Sequence, residues 1–552
     1  MTNATVTLVD VRRVQDYLFN ANELKQNLGA SALVEQATQE WIIQSLPARR
    51  NARWDAEKYE IVFNDQTLES GQLDAEVIYV GGGNAAILFS THQEAVNFTQ
   101  RYTDALLIGA PGLETAVAHV QDVDLSASGS LKGAWRKLQQ EEMPPRKEGR
   151  LVPLPILGLA VTAECAYTGL PAVEEVIEDD NVGTLLSAES YVKQDDTTVE
   201  QANKRLNTLL KIDGFDYPLR FEDLGGERGS SRFVAVVHID GNSMGKRIEA
   251  HVEDDDNREM IRRMREFSQT LNRVGLNAIQ TVRDHLAIRT VPANNDRKLN
   301  EIVDCYDPNE TIRLKDTYLP IRPLVFGGDD ITFVCEGRLG LVLAEKVLEA
   351  LSKAELPDKQ TVYACAGVAI VHSHYPFARA YALAGELCDA AKQKAREWDK
   401  DQSRVSLLNW HIATAGLTLD WDEIKKREYQ NGNLLMRPLV VAKEPNVSTP
   451  AWQTWQTFIN QIRDFRKDWK DQRNKQKELL QTLRKGSGPT LKFTGLHGSL
   501  PTISEALPVK DTHKSGWLIK DPNKGVREDQ CLYFDALEAM DFFIYPEDTA
   551  HE

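Results

Sequence analysis

The sequence predicts an α+β protein with two ferredoxin-like (βαββαβ) domains, a linker domain between them and a C-terminal helical domain. The order strand, helix, strand pair, helix, strand occurs twice, in residues 1–125 and 232–415. Each copy has a glycine-rich turn between two apolar strands. The length of 552 residues allows three or four domains, and 42% hydrophobic and 27% charged residues are typical of a globular chain.

The first copy is expected to span residues 1–125. Its first strand is TVTLVDV, and EVIYVGGGNAAILF forms a pair of strands around a tight turn. A helix from Val14 to Trp41, with a break at Gly29, is expected after the first strand. A second helix from Val96 to Leu107 leads to the closing strand TAVAHVQ.

Residues 126–231 have weaker periodicity than the two copies. They include the segments EEMPPRKEG and GGERGSS and an acidic run from Glu174 to Asp180. A single clear helix is expected, from Val199 to Leu210. The block is therefore interpreted as a linker or inserted domain.

The second copy spans residues 232–415 and repeats the same order. Its first strand is RFVAVVHID, and its hairpin is IRPLVFGGDDITFVCE. The other predicted elements are helices over Gly245–Leu286, broken near Glu253–Asp256, then Leu339–Ala354, the strand VYACAGVAIV, and a helix over Phe377–Arg396. Aligning the two hairpins places Gly83 and Asn84 at the positions of Asp329 and Asp330, and Asp10 at the position of Asp240.

The last block, residues 416–552, is predicted to be a helical bundle around one long helix from Trp452 to Lys485. Apolar residues follow helical spacing there, and the stretch holds nine Lys or Arg against four Asp or Glu. A packed helix with a solvated basic face and a helix that faces RNA or a partner both fit this pattern.

Charge and cysteine content exclude several classes. A net charge of −17 argues against coating of duplex nucleic acid. The longest apolar run, 151–161, is too short to span a membrane, and the N-terminus has no signal-peptide pattern. The six cysteines are scattered without a CxxC pair, which predicts free thiols in a cytoplasmic protein and neither disulfides nor a zinc ribbon.

The strongest chemical signal is Gly327-Gly328-Asp329-Asp330 between two apolar strands. Glycines permit the tight turn and the close approach of a ligand. Two adjacent carboxylates repel each other unless a cation lies between them. Because all of these ligands are oxygens, the predicted ion is Mg²⁺ or Mn²⁺.

Asp240 is the third candidate ligand, because it ends a strand that would lie beside the hairpin. Three carboxylates around one or two metal ions are typical of polymerases and nucleotide cyclases, in which a ribose hydroxyl attacks an α-phosphorus. Asp240 as a simple helix cap is the alternative. Backbone N–H groups of the next turn are candidates for phosphate binding: Gly241, Asn242, Ser243, Met244 and Gly245, with Gly327 and Gly328 of the hairpin.

Other nucleotide and catalytic motifs do not fit. GNSMGK has three residues between its glycines and no Ser or Thr after the lysine, so it is not a P-loop. GGGN lacks a dinucleotide-binding pattern, and no HExxH motif or histidine–aspartate doublet occurs. A diguanylate cyclase would need glutamate at 330 followed by phenylalanine, whereas Asp330 and Ile331 stand there.

VHIDGNSMGK, PLVFGGDDITFV and CAGVAIVHSHYPFARAYALAGELCDAAKQKAR resemble the catalytic palm of the large, polymerase-like subunit of type III CRISPR effector complexes. The opening VDVRRVQDYLFNANELKQNLGASALV resembles the first palm of that family. The resemblance covers residues 1–415 and is most specific over 232–396. It implies two palm domains and synthesis of cyclic oligoadenylates from ATP as an antiviral second messenger.

The resemblance also implies roles for single residues. Asp240, Asp329 and Asp330 would bind the metal ions, Ser268 would lie near the adenine, and Lys392 would contact the triphosphate. Guide or target RNA and other effector subunits would be partners.

Two departures from the family matter. The chain begins directly at the first palm, so no HD nuclease domain is expected. The segment AECAYTGLPA retains Cys165 but has Thr168 at the position of a second zinc-binding cysteine, so no zinc is expected.

The favoured hypothesis is a metal-dependent nucleotidyltransferase that uses ATP rather than GTP. The alternative is a catalytically silent scaffold subunit of an RNA-guided complex, in which the C-terminal block packs against neighbouring subunits. The intact set of three aspartates argues against silence, because unpaired acids are costly to keep together without a cation. Base choice would need a pocket for the base edge, and the helix with Ser268 and Asn272 is its candidate wall.

Overall fold

The fold is that of a computed structural model of the 552-residue chain. The structure describes residues 3–19, 21–148, 162–177, 183–224, 233–289, 301–307, 309–400, 402–414, 420–430, 433–470, 472–501, 515–518 and 529–546. The predicted domain boundaries near 231 and 415 lie outside these ranges.

The first palm has a four-stranded antiparallel sheet. A β-hairpin and a C-terminal helical extension, α5 and α6, accompany it. Its elements are β1 (Asn3–Arg12), α1 (Val14–Phe19), α2 (Leu24–Glu35), α3 (Trp41–Ser45), β2 (Ala52–Asp55), β3 (Glu60–Phe63), β4 (Ala75–Gly81), β5 (Asn84–Phe89), α4 (His92–Gly109), β6 (Glu114–Asp124), α5 (Ser130–Lys137) and α6 (Met143–Glu148). The strand order is β4-β5-β1-β6, and apolar side chains from both faces of this sheet are buried.

The linker contributes a small hairpin and two helices: β7 (Glu174–Ile177), β8 (Gly183–Leu186), α7 (Ala188–Gln194) and α8 (Asp196–Leu210). The second palm follows with β9 (Phe233–Gly241), α9 (Met244–Val252), α10 (Asn257–Arg289), β10 (Glu301–Val303), β11 (Thr311–Arg313), β12 (Ile321–Gly327), β13 (Asp330–Glu336), α11 (Gly340–Leu351), β14 (Ala364–His372) and α12 (Phe377–Trp398).

The second palm sheet has the strand order β12-β13-β9-β14 and is extended by two further strands, β15 (Val405–Ala413) and β16 (Leu439–Lys443). β15 runs parallel to β14, and β16 pairs antiparallel with β15. The sheet therefore includes a strand from the block that the sequence assigned to the C-terminal helical domain.

Both predicted βαββαβ sheets are present, and their registers agree. In the first palm, Asn84 pairs with Asp10 across β5 and β1 and with Gly81 across the hairpin. In the second, Asp330 pairs with Gly327, and the next pair, Ile331 with Ile239, brings β13 beside the strand that ends at Asp240. The predicted correspondence between the two hairpins is confirmed.

The palms pack against each other through α1, α10 and α12. The ring of Phe19 on α1 lies 3.8 Å from that of Tyr381 on α12, measured between centroids. Helix α10 contacts both hairpins, because Ser268 Oγ donates to Val80 O at 3.3 Å and the backbone at Gly275 touches Gly328. This interface forms the walls of a cleft.

Helix α2 is continuous through Gly29, so the predicted break there is wrong. A Cβ atom at Gly29 would lie 1.6 Å from the backbone oxygen of Lys193 on α7. The glycine therefore permits close packing of two helices. The chain instead leaves the helical conformation between α1 and α2, near Ala21.

The long C-terminal helix is two helices, α14 (Trp455–Asp468) and α15 (Arg473–Leu483). Trp469, immediately after α14, is buried against Phe465 and Phe493. The other elements of this region are α13 (Trp421–Glu428), α16 (Ser487–His497), β17 (Trp517–Leu518), β18 (Gln530–Cys531) and α17 (Phe534–Ala539). Among the described residues, no helix has the length and apolar character needed to cross a membrane.

Candidate active site

A cleft of about 850 Å³ lies between the palms and is lined by both hairpin turns. Its walls combine apolar side chains with a few carboxylates, amides and arginines, which is typical of a small-molecule site. The lining residues nearest the two hairpins and the facing helices include Phe19, Gly82, Gly83, Gln269, Asn272, Arg273, Gly327, Asp329, Asp330 and Tyr381.

The hairpin turn of the second palm places two carboxylates on this wall. Gly327 and Gly328 have φ values of 138° and 76°, which side-chain-bearing residues rarely adopt. The turn closes with Asp330 paired to Gly327, so Asp329 is at the tip and Asp330 begins β13. The glycines predicted to shape the turn do so.

Asp240 is one residue from the end of β9, next to this turn. The backbone N–H of Gly241 donates to Asp329 O at 3.2 Å. A Cβ at Gly241 would lie 2.7 Å from Asp329 Cβ, so the absence of a side chain allows the approach. The structure thus brings together the three predicted carboxylates.

The electrostatics of the site reflect this crowding. Burial, followed by the charge of Asp240, raises the pKa of Asp329 to about 6 and that of Asp330 to about 7. The Asp330 side chain is 39% exposed, yet its Oδ1 is inaccessible and has no hydrogen-bond partner among the described residues. Negative charge at this wall is therefore incompletely compensated.

Lys392 on α12 makes an ion pair with Asp240. Although burial lowers the pKa of Lys392, the interaction with Asp240 outweighs it, and the net shift is upward. The structure thus places this predicted triphosphate contact at the acidic site, bound to a carboxylate.

The fit of a divalent cation is best at Asp330. Among the described residues, no three His, Cys, Asp or Glu side chains are arranged as a metal site as they stand. However, Asp330 Oδ1 is buried without a hydrogen-bond partner among the described residues, and carboxylate oxygens are the ligands that Mg²⁺ and Mn²⁺ prefer. Asp240 would need to exchange Lys392 for the ion, and this is a side-chain rearrangement.

The predicted phosphate-binding turn after Asp240 is held firmly in place. Asn242 is buried, and its Nδ2 donates to Ser403 O and Val405 O at 2.8 Å each. Ser243 adopts φ 56°, and α9 then begins at Met244 and continues through Gly245. Asn242 is thus engaged in anchoring the turn, and phosphate binding by its backbone stays a prediction.

Ser268 lies beside the cleft rather than on its wall. Its hydroxyl donates to Val80 O in the first palm. The lining residues of α10 are Gln269, Asn272 and Arg273. Contact of Ser268 with adenine stays a prediction, and Asn272 is the better-placed amide.

His238 and Tyr381 were missed by the sequence reasoning. His238 Nδ1 lies 3.2 Å from Thr332 Oγ1 and 3.5 Å from Asp330 Oδ1, and burial lowers the pKa of the imidazole. Its place two residues before Asp240, on the same face of β9, was a usable signal. Tyr381 faces the site through helix packing, which the local pattern did not reveal.

Comparison with known proteins connects this site to a family. A family model, Cas10/Cmr2, second palm domain, matches residues 233–402, which include all three aspartates and Lys392. A search of curated proteins found no match.

Solved structures of the Csm1–Csm4 cassette have a similar fold. The cassette in complex with pppApApA matches with a TM-score of 0.54 and 13% identity, covering 99% of this chain and 70% of that chain. The complex with one ATP matches with a TM-score of 0.52 and 12% identity, with the same coverage. The Csm1–Csm4 subcomplex of the type III-A CRISPR-Csm interference complex matches with a TM-score of 0.52 and 12% identity, covering 98% of this chain and 70% of that chain.

At such low identity these matches establish the fold, and the family match is specific to the palm with the aspartates. Residues 233–402 therefore match the second palm domain of the Cas10/Cmr2 family, and the chain has a fold similar to that of the solved Csm1–Csm4 structures from type III CRISPR complexes.

Proposed function

We propose that the chain is a metal-dependent nucleotidyltransferase that converts ATP into a cyclic oligoadenylate in antiviral defence. The observation that carries the proposal is the convergence of Asp240 with Asp329 and Asp330, which line the palm–palm cleft, together with a buried Asp330 Oδ1 that accepts no hydrogen bond among the described residues. A bound Mg²⁺ or Mn²⁺ would neutralise phosphate charge and favour the ionised form of the attacking ribose hydroxyl. Asp240, Asp329 and Asp330 would hold it.

The remaining groups have separate tasks. Lys392, released from Asp240, would pair with the triphosphate, since an ammonium is a suitable point charge for phosphate oxygens. The rigid turn that follows Asp240 would offer backbone N–H groups. A ribose hydroxyl of one nucleotide attacks the α-phosphorus of the next, a phosphodiester bond forms, and pyrophosphate leaves with the electron pair of the broken bond.

Adenine selection is assigned to the α10 wall, where Asn272 and Gln269 offer amides and Ser268 lies one turn away. An amide can donate and accept along the Watson–Crick edge, so a mismatched base leaves polar groups unpaired. Among the proteins of similar fold, one binds pppApApA and one binds ATP. These ligands support an adenine nucleotide here.

We further propose that the chain works in the cytoplasm as a subunit of a type III effector complex with guide and target RNA. The solved structures of similar fold are Csm1–Csm4 cassettes, and one is the Csm1–Csm4 subcomplex of the type III-A CRISPR-Csm interference complex. RNA would then act as the activating ligand of the assembled complex.

The decisive experiment incubates the purified chain, alone and with its effector subunits and RNA, with ATP and Mn²⁺ and identifies products by mass spectrometry. Wild type should form oligoadenylates, and Asp329→Asn with Asp330→Asn should abolish them. The matched control, Asp422→Asn with Glu423→Gln, changes an adjacent acidic pair on the exposed face of α13 and should keep full activity. Absence of product from the RNA-bound complex would favour the scaffold alternative.

Base choice is tested by competition of labelled ATP with excess GTP. Asn272→Ala should relax the preference for ATP more than Ser268→Ala, because Asn272 lines the cleft and Ser268 does not. Equal conversion of ATP and GTP by wild type would show that the adenine assignment is wrong.

A further inference from the structure

The linker domain contains four small polar side chains at the spacing of a zinc ribbon. Cys165 and Thr168 are separated by two residues, as are Ser187 and Ser190, and 18 residues lie between the pairs. Zinc ribbons place cysteines as two such pairs about 15–20 residues apart. Only the first of the four positions is a cysteine, so the sequence pattern alone does not reveal the second pair.

The four side chains meet in space and form a continuous hydrogen-bonded quartet. Cys165 Sγ donates to Ser190 Oγ at 3.5 Å, and Ser187 Oγ donates to the same oxygen at 3.3 Å. Thr168 Oγ1 donates to Ser187 Oγ at 3.2 Å. Cys165, Ser187 and Ser190 are at most 4% exposed.

The backbone around the quartet consists of two tight turns. In the first, Cys165 N donates to Leu170 O at 2.8 Å, and Gly169, with φ 69°, donates its N–H to Cys165 O at 3.1 Å. In the second, Ser187 caps α7 by accepting from Ser190 N at 3.3 Å. Ala166 N also donates to Leu185 O at 3.0 Å, which joins the two turns directly.

These residues do not fit zinc. Structural zinc is bound by thiolate, imidazole or carboxylate groups, and three of the four groups here are neutral hydroxyls. Four thiolates at a Zn–S distance of about 2.3 Å would have sulfur atoms about 3.8 Å apart. The observed separations of 3.2–3.5 Å along the quartet are hydrogen-bond distances, a few tenths of an ångström shorter.

We propose that this quartet is a metal-free replacement for a tetrahedral zinc centre. Hydrogen bonds among Cys165, Thr168, Ser187 and Ser190 cross-link the two turns, and the same backbone binds zinc once the three hydroxyl residues are cysteines. The sulfur is part of the same network. Burial alone would raise the pKa of the Cys165 thiol, but its hydrogen-bonding contacts with Thr168, Ser190 and nearby backbone groups lower it to about 6.

The quartet also connects the linker to the first palm. Ser187 and Ser190 lie at the start of α7. Helix α7 packs so closely against α2 that a side chain at Gly29 would collide with the backbone oxygen of Lys193. Lys193 Nζ donates to Tyr17 O at 2.6 Å and pairs with Glu189. Because the cross-link contains no metal, this contact is expected to be insensitive to zinc chelators.

The test measures zinc in the purified full-length chain. Wild type should retain no zinc above that of a buffer blank, and a zinc-selective chelator should leave its melting temperature unchanged. Thr168→Cys with Ser187→Cys and Ser190→Cys should bind about one Zn²⁺ per chain. With Co²⁺ this variant should show the visible absorption of a tetrahedral thiolate site.

The matched control adds Cys165→Ser to the triple variant, which removes one of four ligands and should lose the Co²⁺ spectrum. Stoichiometric zinc in wild type would overturn the proposal, as would a folded triple variant that binds no zinc. If the triple variant does not fold, Ser187→Ala and Ser190→Ala decide. Each of these two variants should have a lower melting temperature than wild type. An unchanged melting temperature in both variants would refute the cross-link.

Discussion

Substitution of Gly275 by alanine tests whether the position of the aspartate turn limits activity. Gly275 is a buried residue of α10, and a Cβ there would lie 2.3 Å from Gly328 O and 3.1 Å from Gly328 N. A carbon atom normally stays about 3.3 Å from a carbonyl oxygen, so the turn must move by about 1 Å. Since both atoms belong to the backbone, no side-chain rotation relieves the clash.

The expected effects on rate and stability differ in size. A displacement of about 1 Å at a reacting centre costs roughly 100-fold in rate. Overpacking lowers the folding stability by about 1–3 kcal/mol. Alanine has the higher helix propensity, which offsets about 1 kcal/mol of that loss. Gly275→Ala should therefore lose most of its nucleotidyl transfer while losing about 0–2 kcal/mol of stability.

The assay compares initial rates of ATP conversion with urea unfolding, followed by tryptophan fluorescence. Mn²⁺ affinity, measured by EPR, is a second readout, because the displaced turn carries Asp329 and Asp330. Gly385→Ala is the matched control: it lies on α12, where a Cβ would meet nothing within 4 Å. It should keep full activity and gain up to about 1 kcal/mol. A Gly275→Ala variant with wild-type rate and Mn²⁺ affinity would refute the reasoning.

Two further predictions concern charge. The pKa of Asp330 is raised to about 7, so its ionisation penalises the metal-free fold above that pH and not below about pH 4. The largest free-energy penalty that this shift allows is about 4 kcal/mol, and solvent screening of the 39% exposed side chain reduces it to about 1–2 kcal/mol. Asp329→Asn with Asp330→Asn should therefore stabilise the fold at pH 8 but not near pH 4. Urea unfolding at both pH values checks this, and equal effects at the two pH values would contradict it. Arg437→Ala removes the 2.8 Å ion-pair partner of the buried Asp535 and should lower the free energy of unfolding by about 3–5 kcal/mol. The control Arg473→Ala, at an ion pair whose arginine is 63% exposed, should lower it by less than about 1 kcal/mol. Similar losses for the two variants in thermal unfolding would contradict this.

Local pattern was sufficient for the palms because a half-buried strand alternates and a tight turn requires glycine. The hairpins at Gly81–Asn84 and Gly327–Asp330 therefore aligned by sequence, and their registers agree. Asp240 was placed correctly because the first strand of a βαββαβ sheet lies beside the hairpin. These inferences needed only the order of elements along the chain.

Contacts between distant segments could not be inferred in this way. Gly29 was interpreted as a helix break, although it permits the approach of α7. The ion pair of Lys392 with Asp240 joins α12 to β9, and no local pattern encodes it. Ser187 and Ser190, the second pair of the quartet, were missed because the zinc-ribbon pattern is recognised by its cysteine pairs, and two serines at that spacing do not stand out in a sequence.

Charge balance distinguishes the two palms despite their common sheet. In the first palm, Asp10 is paired with Lys147, and the hairpin position equivalent to Asp330 is the neutral Asn84, whose Nδ2 donates to Gly82 O. One carboxylate and one ammonium balance there without an added ion. The first palm therefore needs no cation to be stable, and its turn is free to form the opposite wall of the cleft.

The second palm has three carboxylates and the single ammonium of Lys392, which leaves two negative charges once Asp329 and Asp330 ionise. Raised pKa values at both aspartates are the response of a site that lacks a counter-charge. A divalent cation supplies that charge, and it would also allow Lys392 to leave Asp240 for a phosphate. The same imbalance that makes the site unfavourable without an ion is what would make it bind a metal–nucleotide complex.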